Sequence, residues 1–392
     1  MGFLETFLRW VAKQQKRFAI YILIFVVIIT ILLGVGIKDV RLQTDLQKEM
    51  PQQLPIFQLN DRVTDAFGGQ DVVIILVQLD DSFGIKTSID DIRDPYIIQS
   101  LIALEDVLSK ETAVDSITSV AGYFEGEYFF TIEQVKAILD SNPGSTMFFS
   151  RDYKSTLMYI KADVGSSEEK IMRLSKLVQN NIDSVPSIPG VKISITGDPP
   201  MRTTILHLLS HDATFTLVVA ALVILLLLFV MERSITKGLL VFIPLFIGLV
   251  WTMGVMGWMD IPLSIGTVGL GAMILGLGVE YGVFMLTRYY EEREKGNNQA
   301  DSLLIAVPGV GSAILGSGLT TVVGFMALTL SITPMLQRLG ASLALGIVCC
   351  LIAAVFTAPV FIILAEDIEY WYTHSRHAKL SVKKKRHGRM VR

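Results

Sequence analysis

The stretch FAIYILIFVVIITILLGVGI, residues 18–37, decides the class of fold. It carries no charged side chain, and about 20 apolar residues in a row are what an α-helix needs to cross the hydrocarbon core of a bilayer. Lys13, Lys16 and Arg17 precede it, and no small-residue cleavage site follows it. We therefore predict a retained signal anchor, the first transmembrane helix, rather than a cleaved signal peptide.

Five further apolar segments of comparable length follow residue 212. They cover residues 213–231, 238–258, 262–290, 309–331 and 340–365. With residues 18–37 they predict a polytopic α-helical membrane protein with six transmembrane helices. The composition agrees, because 51% of the residues are hydrophobic and only 18% are charged, against about 25% charged in soluble domains. Such a composition excludes a disordered or collagen-like chain.

The formal net charge of -3 hides a strong asymmetry along the chain. Residues 38–202 contain 16 Lys or Arg and 25 Asp or Glu, whereas residues 1–17 and the tail at 366–392 are basic. Lys- and Arg-rich segments stay on the cytoplasmic side of a cell membrane, so we predict that both termini are cytoplasmic and that residues 38–212 are extracytoplasmic. We interpret the basic tail as facing anionic membrane lipid, and we expect no nucleic-acid partner because the large domain is acidic.

Residues 1–17 are predicted to form an amphipathic helix on the inner membrane surface. Phe3, Phe7, Trp10 and Val11 recur at helical spacing, opposite basic side chains. A helix with one apolar and one basic face suits the boundary between headgroups and acyl chains.

Residues 38–212 repeat the order strand, helix, strand. The first copy covers residues 71–79, 95–110 and 114–120, and the second covers residues 155–164, 167–183 and 191–196. Two β-α-β units predict an α+β ferredoxin-like domain, here with an added helix at residues 56–67. The domain carries no nucleophile elbow, phosphate loop or metal cluster. We therefore expect neither an enzyme nor a bound cofactor.

Glu280 interrupts the fourth apolar segment. A charged side chain at bilayer depth costs at least about 2.5–3.5 kcal/mol on insertion scales, so a span keeps one for a role or a partner. No Lys, Arg or His lies inside another span to pair with it. A carboxyl that takes up and releases a proton is a suitable proton carrier. The alternative is a protonated Glu280 that serves structure alone.

Hydroxyl side chains lie at the depth of Glu280 in neighbouring spans. They are Ser317, Thr320 and Thr321 in the fifth span and Thr357 in the sixth. A hydroxyl accepts a hydrogen bond from a protonated carboxyl and donates one to a carboxylate, so these groups could support a relay. Ordinary helix packing explains them equally well, because Ser and Thr are common in spans.

Small residues recur around the acidic position. Gly278 and Gly282 form a G-x-x-x-G pair, Gly276 extends it, and Gly316 and Gly324 belong to a similar stripe on the fifth span. Such stripes let helix backbones approach closely, so we predict helix close-packing at these five glycines.

His207 and His211, with Asp212, are a weak candidate for a metal site. Their i, i+4 spacing puts the two imidazoles on one helix face at the outer mouth of the second span. Two or three ligands are too few for a closed site, and polar residues are expected at an interface. We therefore predict no metal.

The layout of one span, an outer domain of two β-α-β units and five more spans resembles the repeat of the RND (resistance–nodulation–cell division) permease superfamily. Residues 40–46 (VRLQTDL), followed by Met50 and Pro51, look like the entry to the outer domain in its MMPL-like, hydrophobe-exporting branch. Residues 276–282 (GLGVEYG) look like the fourth-span motif of that branch, in which an acid followed by Tyr is associated with proton relay. Asp is the usual acid there, and Glu280 adds a methylene.

The resemblance implies a secondary active transporter that exports or relocates hydrophobic or lipidic substrates. Its coupling ion would be the proton, relayed through Glu280 and Tyr281, with sodium as the alternative. Typical members carry two repeats and twelve spans, whereas this chain carries one. The resemblance therefore implies a homodimer whose fourth spans face each other near a two-fold axis, an arrangement that Gly278 and Gly282 would fit.

Two other functions stay open. Spans two to six resemble a sterol-sensing domain, which would make the protein a sterol or lipid sensor. A Sec-associated accessory of protein export is a third possibility, although the fourth-span motif of that group differs. Replacing Glu280 by Gln separates the first two, because a transporter should lose substrate movement whereas a sensor should retain ligand binding.

Overall fold

The structure is a computed structural model that describes residues 2–45, 47–67, 71–80, 89–124, 131–162, 168–186 and 188–371. Its helices are α1 (Phe3–Arg17), α2 (Ala19–Gly36), α3 (Pro55–Phe67), α4 (Pro95–Leu108), α5 (Ile132–Asp140), α6 (Glu168–Ser184), α7 (Asp198–Glu232), α8 (Ile235–Trp258), α9 (Leu270–Glu294), α10 (Gln299–Ala327) and α11 (Pro334–Ile352). Its strands are β1 (Leu42–Gln43), β2 (Asp71–Leu79), β3 (Ser116–Ser119), β4 (Ser155–Ala162), β5 (Val191–Gly197) and β6 (Leu263–Ser264).

The chain divides into two compact units. One, the helical unit, combines Met1–Gln43 with Leu209–Arg392, and the other, the α+β unit, is Thr44–Leu208. Each unit has its own hydrophobic core.

Six helices in the described part of the chain are long and apolar enough to cross a membrane, as predicted. They are Ala19–Asp39, Asp198–Glu232, Ile235–Trp258, Leu270–Glu294, Gln299–Leu330 and Pro334–Trp371. A helix satisfies most of its backbone groups internally, which suits it to the interior of a bilayer. The protein is therefore a multi-pass membrane protein.

The fourth of these helices begins later than predicted, at Leu270 and not at residue 262. Before it, β6 pairs in parallel with β1 through Leu42↔Leu263 and Gln43↔Ser264. The Ser264 N–H then donates to Thr267 Oγ1 at 2.8 Å, which forms a turn ahead of the helix. The apolar run at residues 262–269 is thus a short strand and a turn, because local hydrogen bonds replace the helical ones.

The fifth helix begins earlier than predicted, at Gln299 and not at residue 309. Asn298 caps it, since its side-chain oxygen accepts from the Asp301 N–H at 2.9 Å. Hydropathy located only the apolar part of this helix, whereas the cap determines its first residue.

The helix α1 has two faces. Leu8, Val11 and Ala12 are buried in the helical unit together with Gln15, while the large aromatic side chains on the other face are exposed. Val11, which the sequence pattern groups with those aromatic residues, lies on the buried face. A helix of this kind is held by the protein on one side and leaves its other side free.

Glycine lets α8 approach α2 at backbone distance. A Cβ at Gly254 would collide with the carbonyl of Leu33, and one at Gly257 would collide with the carbonyl of Gly36. Trp251 Nε1 donates to Thr30 Oγ1 at 2.9 Å along the same contact. In a bilayer the hydrophobic effect does not drive helices together, so close backbone contact of this kind stabilises their association.

The α+β unit is built on an antiparallel sheet with the strand order β3-β4-β2-β5. In β2 the side chains alternate, so that Val73, Ile75 and Val77 are buried. They share one core with α4 and α6, which also follow their predicted positions closely. The strand–helix–strand order predicted for both halves is confirmed over the described residues, and the strand order follows from pairing the first strands of the two halves in the centre.

A partly buried ion pair stabilises this unit. Arg93 donates to Asp91 at 2.9 and 2.7 Å, its guanidinium stacks 3.6 Å from the ring centroid of Tyr153, and Lys136 lies 3.3 Å from Asp91. Burial by itself would raise the pKa of Asp91, but hydrogen bonds and charge from Arg93, with Lys136, outweigh it and hold that pKa below its usual value.

Candidate functional site

Glu280 lies in the middle of α9 and is exposed on the surface of the helical unit. Large apolar side chains surround it on the same face one turn away, Leu277 before it and Phe284 after it. The carboxyl therefore projects from an apolar helix face that nothing in the described chain covers. In a bilayer such a face meets either lipid or another protein surface.

Tyr281 follows directly and points the other way. It is only 1% exposed, and its hydroxyl lies near the Thr321 side chain of α10. Thr321 Oγ1 donates to the Ser317 carbonyl at 3.1 Å. The structure thus brings one predicted relay residue and one predicted hydroxyl together.

The other predicted hydroxyls have different surroundings. Ser317 and Thr320 are exposed on α10, and Thr320 Oγ1 donates to the Ser317 carbonyl at 2.7 Å. Thr357 is buried, and its hydroxyl donates to the carbonyl of Ala353 in its own helix. Thr357 therefore serves the backbone of the last helix, a use that its depth in the span did not indicate.

The five predicted glycines separate into two groups. A Cβ at Gly278 would lie 2.6 Å from Leu245 Cδ1, and one at Gly282 would lie 2.9 Å from Val241 Cγ1, so this pair packs against α8 inside the chain. Around Gly276, Gly316 and Gly324 no atom would lie within 4 Å of an added Cβ. The G-x-x-x-G pair is thus occupied within one chain, and the other three positions face open space.

The two histidines proposed as weak metal ligands are exposed. His211 lies beside Asp212, with Nδ1 and Oδ1 3.3 Å apart, and its ring stacks on Phe215. Across the residues that the structure describes, no group of three or more His, Cys, Asp or Glu is placed to hold a metal ion.

A polar cluster at the end of α9 was missed in the sequence. Arg293 Nε donates to Glu366 Oε1 at 2.8 Å, the Tyr289 hydroxyl donates to the same carboxylate, and Arg293 also donates to the Asn297 carbonyl at 2.7 Å. It ties α9 to the end of the last helix. In the sequence, the indication of this contact was a basic residue at the end of the fourth membrane helix, Arg293, and an acidic residue near the end of the sixth, Glu366.

The α+β unit contains an apolar cavity of about 310 Å³. Its walls come from α4, the end of α6, β2 and β5, and include Leu101, Leu104, Ile182 and Ile193. Ser100 and Asp183 are the polar members of its lining. Cavities of this size lie at the lower end of the range for small-molecule sites.

The fold and this site define a multi-pass membrane protein with a carboxyl on an apolar helix face. The profile of the MMPL family matches residues 84–391. The chain therefore belongs to the MMPL family, as the motif around Glu280 and the order of the spans predicted.

Three relatives show how far the similarity extends. The membrane protein MJ1562 of Methanocaldococcus jannaschii is 35% identical over 372 residues, which is 93% of this chain and 95% of that protein. A Mycobacterium tuberculosis protein named as a transport protein, MmpL9, is 29% identical over 53% of this chain and 22% of its own length. The siderophore exporter MmpL5 of the same species is 25% identical over 54% of this chain and 23% of its own length. The matches thus span nearly all of the archaeal relative and under a quarter of each mycobacterial one.

Proposed function

We propose that this chain is a secondary active transporter that exports or relocates hydrophobic or lipidic substrates. Proton movement through Glu280 would drive it, with sodium as the alternative coupling ion, and the working form would be a homodimer. The domain predicted to be extracytoplasmic, of ferredoxin-like type, would receive the substrate. The similarity to proteins named as transporters and exporters supports this class of function.

The observation that carries the proposal is the exposed Glu280 on an apolar face of α9. A carboxylate facing lipid is unfavourable by at least about 2.5–3.5 kcal/mol. Protonation or a protein partner removes most of that penalty. A carboxyl in this position therefore responds strongly to the arrival of a proton and to a change in what covers it, and both responses are needed to couple ion movement to a conformational change.

The open glycines support a dimer at this face. Gly276 on α9 and Gly316 and Gly324 on α10 leave room for another helix to approach, whereas Gly278 and Gly282 are already filled from within. Exposed hydroxyls on α10, Ser317 and Thr320, would then meet the carboxyl of the second copy. A second copy would thus cover Glu280 and supply hydrogen-bonding groups at once.

Tyr281 and Thr321 support a relay that begins at Glu280. The Tyr281 hydroxyl is buried beside Thr321, and hydroxyls both donate and accept. A proton released by Glu280 could therefore be followed by exchange of hydrogen-bonding partners between α9 and α10. Such an exchange is a way to move one helix relative to the other.

The apolar cavity in the α+β unit supports a hydrophobic substrate. Its lining is dominated by aliphatic side chains, with Ser100 and Asp183 as the polar members. An acyl chain fits that chemistry, since apolar surface is released from water when it enters. We assign the cavity to the substrate path of the proposed transporter.

The experiment uses the purified full chain in proteoliposomes. Infrared difference spectra after a pH step should show a carboxyl band that Glu280→Gln lacks and Glu280→Asp keeps. Movement of a fluorescent phospholipid should follow an imposed pH gradient and fall at least about tenfold in Glu280→Gln, as expected when an essential proton carrier is removed. Glu294→Gln, an exposed acid at the end of α9, is the matched control.

Normal gradient-driven movement in Glu280→Gln would refute the relay. A sodium gradient at equal pH on both sides distinguishes the two coupling ions. If the phospholipid binds but does not move under either gradient, in the natural chain as in the variant, the protein is a lipid sensor.

A further inference from the structure

The last membrane helix contains a proline in its interior. The helix runs from Pro334 to Trp371, and Pro359 lies inside it. Proline has no N–H, and its ring presses on the carbonyl four residues earlier, here that of Val355. This carbonyl therefore has no donor at the usual helical spacing. Val355 is fully buried, so water does not replace that donor.

The helix responds by widening. Ala353–Thr357 form a π-helical turn, in which the Ala358 N–H donates to the Ala353 carbonyl five residues back. The Thr357 hydroxyl donates to the same carbonyl. Single π turns of this kind are frequent at functional sites, and a proline with a π turn makes a place where a helix bends. We call residues 353–359 the hinge.

A side chain from the other end of the sequence completes the hinge. Gln15 of α1 is 2% exposed, and its amide donates to the Val355 carbonyl at 2.9 Å and to the Phe356 carbonyl at 3.2 Å. The two N–H groups of one amide thus satisfy two neighbouring carbonyls of the hinge. The remaining amide oxygen of Gln15 is buried and has no hydrogen-bond partner in the described structure. The Gln15 amide therefore contributes to this buried position through the two hydrogen bonds that it donates.

A second contact holds α1 to the segment beyond the hinge. Lys16 donates to the side-chain oxygen of Gln299, and Gln299 donates in turn to the Ile363 carbonyl at 3.1 Å. The helix α1 is thus connected to the last span on both sides of Pro359. Its outer face carries exposed Phe3, Phe7 and Trp10, which fit a membrane surface.

We propose that α1, when docked on the bundle, stabilises one conformation of a proline hinge in the last span. While α1 is docked, Gln15 supplies the donor that Pro359 removes from the Val355 carbonyl, and the hinge stays in one conformation. When α1 lifts from the bundle, the Val355 carbonyl loses its donor and the last span opens at the hinge. Gln15 is a positioning residue in this arrangement, and the proposal does not depend on what the protein transports.

A double-mutant cycle tests this, with hydrogen–deuterium exchange measured on the full chain in lipid nanodiscs. Gln15→Leu should raise exchange of the amides at residues 356–358 and 360–362 by about tenfold, the effect of losing a buried hydrogen bond. Gln14→Leu, the neighbouring half-buried position, should change it less than about twofold. Pro359→Ala restores the N–H that Val355 lacks, so in that background Gln15→Leu should have little effect.

Equal effects of Gln15→Leu in the natural chain and in the Pro359→Ala background would overturn the proposal, because Gln15 would then act through packing alone. Unchanged exchange in Gln15→Leu would overturn it as well. If Gln15→Leu fails to fold, Gln15→Asn carries the same cycle, since it keeps the amide but is one methylene shorter. Its effect should again disappear in the Pro359→Ala background.

Discussion

Glu280 and Tyr281 are consecutive residues of α9 with opposite surroundings: the carboxyl is exposed on the outside of the helical unit, and the phenol is buried within it. Consecutive helical residues differ by about 100° around the axis, so one turn of helix serves two surfaces. The outward side presents an acid to whatever covers α9. The inward side reaches Thr321 of α10. A motif of two residues thus joins the surface of the bundle to its interior.

If a second copy covers the Glu280 face, a cysteine beside it should cross-link. Gly276→Cys should form a covalent dimer under mild oxidation in the membrane, because two helices packed at an open glycine bring their Cα atoms within the roughly 7 Å that a disulfide needs. Leu226→Cys, exposed on α7, is the control and should yield at least about tenfold less. Non-reducing electrophoresis measures both. Equal yields would place the contact elsewhere.

The two groups of glycines should respond differently to a methyl group. Gly278→Ala should lower the free energy of unfolding by about 1–3 kcal/mol, because the added Cβ meets Leu245 and Cys350. Gly276→Ala meets nothing in the chain and should leave stability unchanged or raise it by up to about 1 kcal/mol through helix propensity. Tryptophan fluorescence during unfolding in detergent measures both free energies. A similar loss of unfolding free energy in both variants would contradict the assignment of Gly278 as filled and Gly276 as open.

The ion pair at Asp91 should make the stability of the α+β unit depend on pH. Because the pKa of folded Asp91 lies below its unfolded value, the stabilisation is complete above the unfolded pKa of about 3.9 and is lost as the pH falls through the folded pKa. Asp91→Asn should therefore cost roughly 1–3 kcal/mol at neutral pH and progressively less in acid. Pulse proteolysis of the full chain in urea, followed on fragments of residues 44–208, measures this. A cost that stays constant from neutral pH into acid would show that charge is not the cause.

The contact of Arg293 with Glu366 should keep the end of the last helix in place. Glu366→Gln removes the charge but keeps the shape, and we expect a loss of about 1–3 kcal/mol in local stability because Arg293 is left half-buried with a weaker partner. Hydrogen exchange at residues 363–371 should rise accordingly. Glu294→Gln, at an exposed position, should not change it. Unaltered exchange in Glu366→Gln would show that packing alone holds this helix end.

The sequence predicted most elements because their signals are local. Strand β2 and helix α4 follow directly from β-branched runs and apolar spacing, and both lie where expected. The ends of the helices were harder to predict. The cap at Asn298 and the turn at Thr267 depend on single side-chain hydrogen bonds, which a hydropathy pattern does not register.

The candidate site was only partly predictable, because the sequence shows which residues are present but not where their side chains point. The charge of Glu280 in an apolar span is visible in the sequence, and the family motif marks Tyr281 beside it. The direction of each side chain is not visible: Ser317 and Thr320 are exposed on α10, whereas Thr357 is buried and donates to a carbonyl of its own helix. Equivalent depth in a membrane does not determine which way a hydroxyl points.

By itself the sequence determined the number of membrane helices, the two strand–helix–strand halves and the acidic residue among apolar ones, because hydropathy and periodicity act over a few turns of chain. The tertiary structure decided which glycines are filled and which are open, and it placed Gln15 against the carbonyl that Pro359 leaves without a donor. Those features depend on contacts between different helices, and Gln15 and Val355 are 340 positions apart in the chain. Only the packing of whole helices brings such residues within hydrogen-bonding distance.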